Sequence, residues 1–448
     1  MKVLKFGGTS LGTVANLKKV CKLVNDGQTK IVVLSAMSAT TNILVQINEL
    51  LSAGKRTEAT VLRYSLYRHY TEVIEELYQK DSHRIAMLEK LNVFFDKLAD
   101  FAKETYKTAF EAEILAIGEQ LSVALFHEYL TEQGIPSVML YAPDFLRLQQ
   151  NEEPDHYYIK ENLTRLLNQP QNSHNNTVYL TQGFICKDSN GSISNLQRGG
   201  SDYTASLVGA AIKADEIQIW TDIDGMHNND PRFVNNTSSL SHLSFDEAAE
   251  LAYFGAKILH PSSIRPARMA DIPVRIKNTN KPDAEGTYIS DRTLESSIKA
   301  VAAKDGIVAI RIQSGRMLMA YGFLSKLFAV FEKYQTSIDM ITTSEVSVSV
   351  SIDKDENLEA ICAELSVLGQ LEISYHQTIV CIVGDLIAES KGIGVQILEA
   401  VKNTPIKMIS YGASNNNISL LIDTKDKAEA LNSLSQHLFE KRYEPVFV

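Results

Sequence analysis

Positive charge is what this 448-residue chain is short of: 44 lysines and arginines stand against 54 aspartates and glutamates, for a formal net charge of −10. Such a surface offers no overall field to gather phosphate backbones or anionic lipid, so neither nucleic acid nor a membrane surface is expected as a partner. Long apolar runs are missing too, and none approaches the roughly 18 residues that would span a bilayer. The opening stretch Lys2-Val3-Leu4-Lys5-Phe6-Gly7-Gly8 breaks its apolar run with Lys5 and two glycines, which is not the h-region of a secretory signal. Cysteine is sparse: Cys21, Cys186, Cys362 and Cys381 form no CxxC pair and no metal-ligand spacing. They are expected to be reduced core thiols of a cytoplasmic protein. Proline is absent before Pro136, and residues 57–134 repeat apolar positions at three- and four-residue intervals, which predicts a helical excursion.

What remains is the balance of an ordinary folded protein, with 44% hydrophobic and 22% charged residues. At roughly 150 residues per domain, about three domain-sized units are expected. Residues 2–6 and 31–35 are short β-rich runs on either side of a helical stretch at 13–25, the βαβ cadence of a parallel sheet. The segment 150–176, rich in Asn, Gln and charge, reads as an exposed connection to a strand at Val178-Tyr179-Leu180. A second α/β set follows, with helices at 204–214 and 245–259 and a strand at 216–220.

After about residue 292 the texture becomes an internal repeat. The first copy has a helix at 323–334, then Ile338-Asp339-Met340-Ile341 and an alternating strand at 346–353. In the second, a helix from Gly392 to about Lys402 precedes Ile406-Lys407-Met408-Ile409 and Ile418–Asp423. Each copy reads β-α-β-β-α-β, a small sheet with helices on one face, and two such sheets are expected to pair.

Four motifs could carry chemistry. Lys5-Phe6-Gly7-Gly8-Thr9-Ser10 joins a strand to a helix, where glycines let backbone amides approach an anion; read alone, it is also a plain turn. It is not GxxxxGK[ST], and neither GxGxxG nor a paired HRD and DFG occurs. Arg198-Gly199-Gly200-Ser201-Asp202-Tyr203-Thr204 offers a guanidinium and a helix N-terminus for a carboxylate or phosphate, or Asp202 is simply an N-cap. Trp220-Thr221-Asp222-Ile223-Asp224-Gly225, then Asp230-Pro231-Arg232, places carboxylates at a strand end that could equally be a turn. Phe254-Gly255-Ala256-Lys257-Ile258-Leu259-His260-Pro261 ends an apolar helix with a lysine that would complement its dipole. His260 reads as structural, and Glu119, a lone glutamate in a small-residue helix, as a solvated face.

Taken together and in this order, these motifs resemble the aspartate kinases of the amino acid kinase superfamily, and the repeats resemble tandem ACT domains. The resemblance implies an α/β amino acid kinase fold at 1–292, a parallel-rich sheet between helices in two lobes. Two ferredoxin-like ACT modules would follow at 293–448, the first about 308–384 and the second about 385–448 plus a strand near 297–304. It implies transfer of the ATP γ-phosphoryl to the side-chain carboxylate of L-aspartate, giving 4-phospho-L-aspartate for lysine, threonine and methionine synthesis. The chain is expected to be the monofunctional form, lacking a fused homoserine dehydrogenase. A carboxylate nucleophile, with a reference pKa near 3.9, needs no general base; the demand is for positioning and cationic stabilisation.

By the same resemblance Lys5 and Lys257 contact the phosphates and Asp202 orients them. Phe6, Gly7, Gly8, Thr221, Asp222, His227, Arg232 and Ile258 join them on the ATP side, with Mg²⁺ held through the phosphates rather than by a protein metal site. His227 stands where many relatives carry Tyr. Arg198 would grip an aspartate carboxylate, Glu119 would take its ammonium, and Thr41, Gly199, Gly200 and Ser201 complete that site. Met317, Gly322, Phe323, Leu324, Ser337, Asp339, Ser344, Glu345 and Val346 resemble the effector pocket of the lysine-sensitive type. An amino acid effector, expected to be lysine, and a homodimer through the ACT modules, or a tetramer of such dimers, follow. The alternatives are a sibling kinase for glutamate or N-acetylglutamate, and a catalytically silent amino-acid sensor.

Overall fold

The computed structural model describes residues 1–169, 176–196, 199–255, 259–291, 297–317, 321–385, 387 and 389–440. They form two compact units. The first comprises Met1–Met226, Ser241–Phe245 and Leu259–Asp291; the second comprises His227–Leu240, Asp246–Ile258 and Arg292–Val448.

The first unit is built on β1 (Lys2–Phe6), β2 (Lys30–Leu34), β3 (Ser137–Leu140), β4 (Val178–Gln182), β7 (Ile217–Thr221), β8 (His242–Leu243), β9 (Val274–Asn278) and β10 (Thr287–Ile289), with a hairpin of β5 (Ile185–Lys187) and β6 (Ile193–Asn195) beside them. The strand order is β3-β4-β2-β1-β7-β9-β10-β8, parallel throughout except where β9 meets β10. Every residue of β2 and β4 is buried, so both faces are covered, as a parallel sheet requires. The expected helical excursion is three helices, Arg56–Leu77, Asp81–Lys103 and Ala109–Glu132, sharing one apolar core with the sheet.

Two expectations fail locally. The segment 150–176 is not merely a connection. Asp155 caps the helix His156–Leu167 by accepting from the Tyr158 amide, and Ile159 and Leu163 are buried. The helix from Phe245 stops at Tyr253 rather than running to 259, because Gly255 turns the chain at φ +138°.

The second unit carries one antiparallel sheet in the order β12-β13-β11-β14-β16-β15. Its strands are β11 (Ile298–Gln313), β12 (Met340–Thr343), β13 (Ser347–Ile352), β14 (Gln370–Gly384), β15 (Ile406–Tyr411) and β16 (Asn417–Asp423). The repeat is visible in how β11 and β14 are shared. The C-terminal half of β11 pairs with β13, and the C-terminal half of β14 pairs with β16. Along their length β11 and β14 pair with each other, with register shifts between Lys304 and Ala309. The first half is thus a four-stranded βαββαβ unit; the second is βαββα with the N-terminal half of β11 as its fourth strand, and each has its own core. One packs Val308, Ile310 and Ile312 against Phe323, Leu327 and Phe331; the other packs Val380 and Ile382 against Ile397, Leu431 and Leu434. The two small sheets are therefore joined into one by continuous strands.

Candidate active site

Parallel sheets leave their chemistry at the carboxyl ends of the strands, where the backbone turns away and helices begin. Here β1 ends at Phe6 and a short helix starts at Gly8, so Gly7 and Gly8 form the strand-to-helix turn. The Gly7 amide donates to the Trp220 carbonyl on β7, and the Ser38 hydroxyl donates to the Gly8 carbonyl at 2.8 Å, which ties this turn to the loop after β2. Phe6 is fully buried and stacks on Trp220 at 5.7 Å. Its side chain therefore belongs to the core, and only its backbone is left for a ligand.

Lys5, near the end of β1, reaches the first turn of the helix Gly200–Ile212, where its Nζ lies 2.8 Å from Asp202 Oδ1. Both side chains are largely buried, so the pair is shielded from water and holds its geometry. Asp202 is not the N-cap; Gly199 is. Ser201 sits against Gly183, whose lack of a side chain is what admits it: a Cβ there would fall 2.4 Å from Ser201 Oγ.

Glu119 overturns the solvated-face expectation. It is 4% exposed in the helix Ala109–Glu132, its Oε1 accepts from the Ala36 amide at 3.2 Å, and its Oε2 has no partner among the described residues. Burial pushes its carboxyl up to about 7, against the lowering effect of the Ala36 and Glu119 backbone amides. The neighbouring Thr40 hydroxyl lies 3.0 Å from the buried Tyr70 hydroxyl, which anchors the start of the helix Thr40–Ser52.

Gly8, Ser35–Ala39, Thr41, Asn42, Glu119, Phe184, Gly200 and Ser201 line one cavity of about 350 Å³. Five residues singled out from the sequence, Gly8, Thr41, Glu119, Gly200 and Ser201, are thus brought together from distant stretches. Phe184, held at φ +69° after β4, was not anticipated; nothing in its local sequence marks it. Another cavity, about 240 Å³, opens around Lys2, Leu4 and Gln28–Lys30 at the other end of β1 and holds none of the anticipated residues.

Thr221 ends β7 and donates to Asp222 Oδ1 at 3.1 Å. His227 and Arg232 lie in the second unit: His227 Nδ1 is 3.0 Å from Thr237 Oγ1, and the exposed Arg232 forks onto Asp230 at 2.6 Å and 2.9 Å. The Nδ1 of His260 accepts from the Ser262 amide, the structural role expected of it. Arg198, Lys257 and Ile258 lie outside the described residues.

The anticipated effector residues are in the second unit. Gly322 caps the helix Phe323–Lys333 at φ +80°, with Phe323 buried and Leu324 partly exposed. Ser344, Glu345 and Val346 form the turn between β12 and β13, and the Val346 carbonyl accepts from the Ser314 amide, which starts the turn holding Met317. Ser337 is exposed ahead of β12. Asp339 precedes β12 and pairs through its amide with Ser351. Asp339 and Glu345 thus flank the two ends of β12, whose four residues span about 10 Å at the rise of an extended strand.

Residues 1–278 match the amino acid kinase family and residues 380–438 match an ACT domain. The lysine-sensitive aspartokinase 3 of Escherichia coli (strain K12) is 32% identical, over 98% of this chain and 99% of its own. The crystal structure of E. coli aspartokinase III with aspartate and ADP, described as its R-state, superposes with a TM-score of 0.82 at 31% identity, covering 98% of this chain and 100% of that one. The same enzyme with lysine and aspartate, described as its T-state, gives 0.80 at 31% identity, covering 98% and 99%.

Proposed function

The chain belongs to the amino acid kinase family, among its aspartokinases, and is an ATP-dependent kinase; from that premise we propose the chemistry of its site, residue by residue. L-aspartate occupies the cavity of about 350 Å³, with its ammonium on the unpartnered oxygen of Glu119 and with Thr41 and Ser201 as hydroxyl partners. Arg198, by its motif, takes a carboxylate. The side-chain carboxylate, ionised at neutral pH, attacks the γ-phosphorus of ATP; the new C–O–P linkage forms as the bond to the β-phosphate oxygen breaks, and ADP leaves.

The obstacle is an anion approaching a polyanion, and Lys5 answers it. Its ammonium is aimed by Asp202 across the turn Gly7–Gly8, whose backbone can lie close to phosphate oxygens. Lys257 is assigned the same role by its motif. Thr221 and Asp222 at the end of β7 are proposed for the nucleotide side, and Mg²⁺, held through the ATP phosphates, would supply charge neutralisation when bound. His227 and Arg232 are proposed for the nucleotide side from their motif alone.

The observation carrying this reading is the convergence of Glu119, Thr41, Gly8 and Ser201 on one cavity beside the Lys5–Asp202 pair. Coupled measurement of ADP release with aspartate, glutamate and N-acetylglutamate tests it: turnover confined to aspartate is expected, and turnover on either of the other two alone refutes the substrate. Lysine bound without any aspartate-dependent turnover would instead identify a sensor.

Regulation is proposed at the two C-terminal modules, with lysine as effector, supported by the lysine complex of the E. coli relative. Because Asp339 and Glu345 stand at opposite ends of β12, an amino acid touching both would have to lie between two copies of the chain. That geometry supports a homodimer, and sedimentation should return twice the 49.8 kDa of the chain. A cytoplasmic location belongs to the same reading: the four cysteines are free thiols, and no described helix is long and apolar enough to cross a membrane.

A further inference from the structure

Asp339 is one of the acidic residues of the anticipated effector pocket, and a carboxylate there suits an ammonium, yet it already has one. Its side chain is wholly shut off from solvent, and Oδ1 accepts from Lys304 Nζ at 3.0 Å and from the Tyr253 hydroxyl at 2.5 Å. Oδ2 has no partner among the described residues. Lys304 also reaches Asp353 Oδ2 at 2.9 Å and lies 4.4 Å from the centre of the Tyr253 ring. All four residues belong to the second unit. Burial opposes the charge on Lys304, but its bonds to Asp353 and Asp339 outweigh burial and hold its ammonium above the usual lysine range. Burial and then Asp339 push the Tyr253 hydroxyl up to about 12, so it stays a donor at any physiological pH.

We propose that Lys304 is an internal stand-in for the effector, an ε-ammonium of the chain's own that occupies Asp339 until a free amino acid carrying a second ammonium displaces it, and that it thereby sets the effector threshold. This rests on the reading of Asp339 as an effector residue and adds what competes for it. The chemistry favours a diamino acid. A buried carboxylate whose resident partner is a primary ammonium exchanges it most readily for another of the same charge and hydrogen-bonding capacity, and with the α-ammonium taken by Glu345 only a second ammonium is left to supply it.

The same knot shows how displacement would be felt. Tyr253 is the last residue of the helix Phe245–Tyr253, and the chain continues directly into Phe254-Gly255-Ala256-Lys257. Gly255 lies so close to β11 that a Cβ on it would fall 2.4 Å from the Ala303 carbonyl, beside Lys304. The segment leading to Lys257 is therefore fastened to β11 by a backbone contact and to Asp339 by one hydroxyl. Moving Lys304 off Asp339 alters both attachments.

The test uses the full-length protein, with initial rates in aspartate and Mg-ATP and calorimetric titration of L-lysine. Lys304→Met, and Lys304→Gln as a variant that keeps a hydrogen-bond donor without the charge, should each lower the half-inhibitory lysine concentration at least five-fold, the small end of ordinary coupling between sites. Tyr253→Phe should bind lysine with affinity within about two-fold of the parent, yet lose most of the inhibition. If the parent binds lysine and both Lys304 variants keep the parental threshold, or need more lysine, the stand-in is refuted while the effector site stands. If lysine binds neither the parent nor the variants, the effector reading falls and takes the stand-in with it.

Discussion

Lys5 and Asp202 meet at 2.8 Å, a cation from the first strand and a carboxylate from the first turn of the helix Gly200–Ile212, both largely closed to water. The short contact fixes where the Lys5 ammonium points, because its partner sits on a helix turn and cannot itself reach far. The pair therefore serves orientation as much as charge.

Lys5→Ala should lower kcat by roughly two to three orders of magnitude, the usual cost of one preorganised donor at a transition state, with the KM for aspartate much less affected. Steady-state kinetics on a variant with parental circular dichroism decides it. A kcat within a few-fold of the parent would remove Lys5 from the phosphoryl-transfer step.

Glu119 makes the reaction sensitive to pH in a defined direction. With its carboxyl pushed up to about 7 by burial, it is increasingly neutral below that pH and loses its hold on an ammonium. The KM for aspartate should rise as pH falls from 8 to 6, and Glu119→Gln should show a uniformly higher KM without that slope. The stability effect has the opposite sense. A carboxyl whose folded pKa is raised binds more protons folded than unfolded, so the fold loses stability as pH climbs from about 4.5 to about 7. Glu119→Gln should thus be more stable than the parent at pH 8, by on the order of 3 kcal/mol. Thermal melts at pH 5 and pH 8 would expose the sign.

Gly183→Ala probes the approach of Ser201, since the added Cβ would fall on its hydroxyl and its backbone alike. The added carbon would fall 2.8 Å from Ser201 Cα, so the start of the helix must move. A cost of about 1–3 kcal/mol in stability is expected, with a several-fold rise in the KM for aspartate. An unchanged melting temperature and KM would mean that the helix is free to shift.

Asp339→Ala should raise the lysine concentration needed for half-inhibition by more than five-fold, since it deletes the carboxylate for which an ammonium competes. Inhibition curves for parent and variant give the answer directly; coincident curves would dissociate Asp339 from the effector.

How much of this could be read from the amino-acid string depends on range. The turn at Gly7–Gly8 and the strand end at Phe6 are local events, announced by glycines and a β-rich run within a few residues; the helix expected from 204 begins four residues earlier, at Gly200. The burial of Glu119 is not local: its partner amide, at Ala36, is 83 residues away, and only tertiary packing distinguishes it from a solvated glutamate. Phe184 entered the cavity wall unannounced for the same reason. Asp339 was legible as a charged candidate, but its partners Lys304 and Tyr253 are 35 and 86 residues away, and nothing local ties either of them to it. The helix His156–Leu167 was hidden by its polar composition, because burying only Ile159 and Leu163 leaves most of its surface to charge.

The strands β11 and β14 run without interruption through both modules. Modules joined by a slack tether can wander independently; these two cannot, for their shared backbone leaves only torsion as a way to differ. A ligand seated on one module would thus be felt by the other as a change of twist, with the irregular register around residues 304–309 as the point where that ladder yields first.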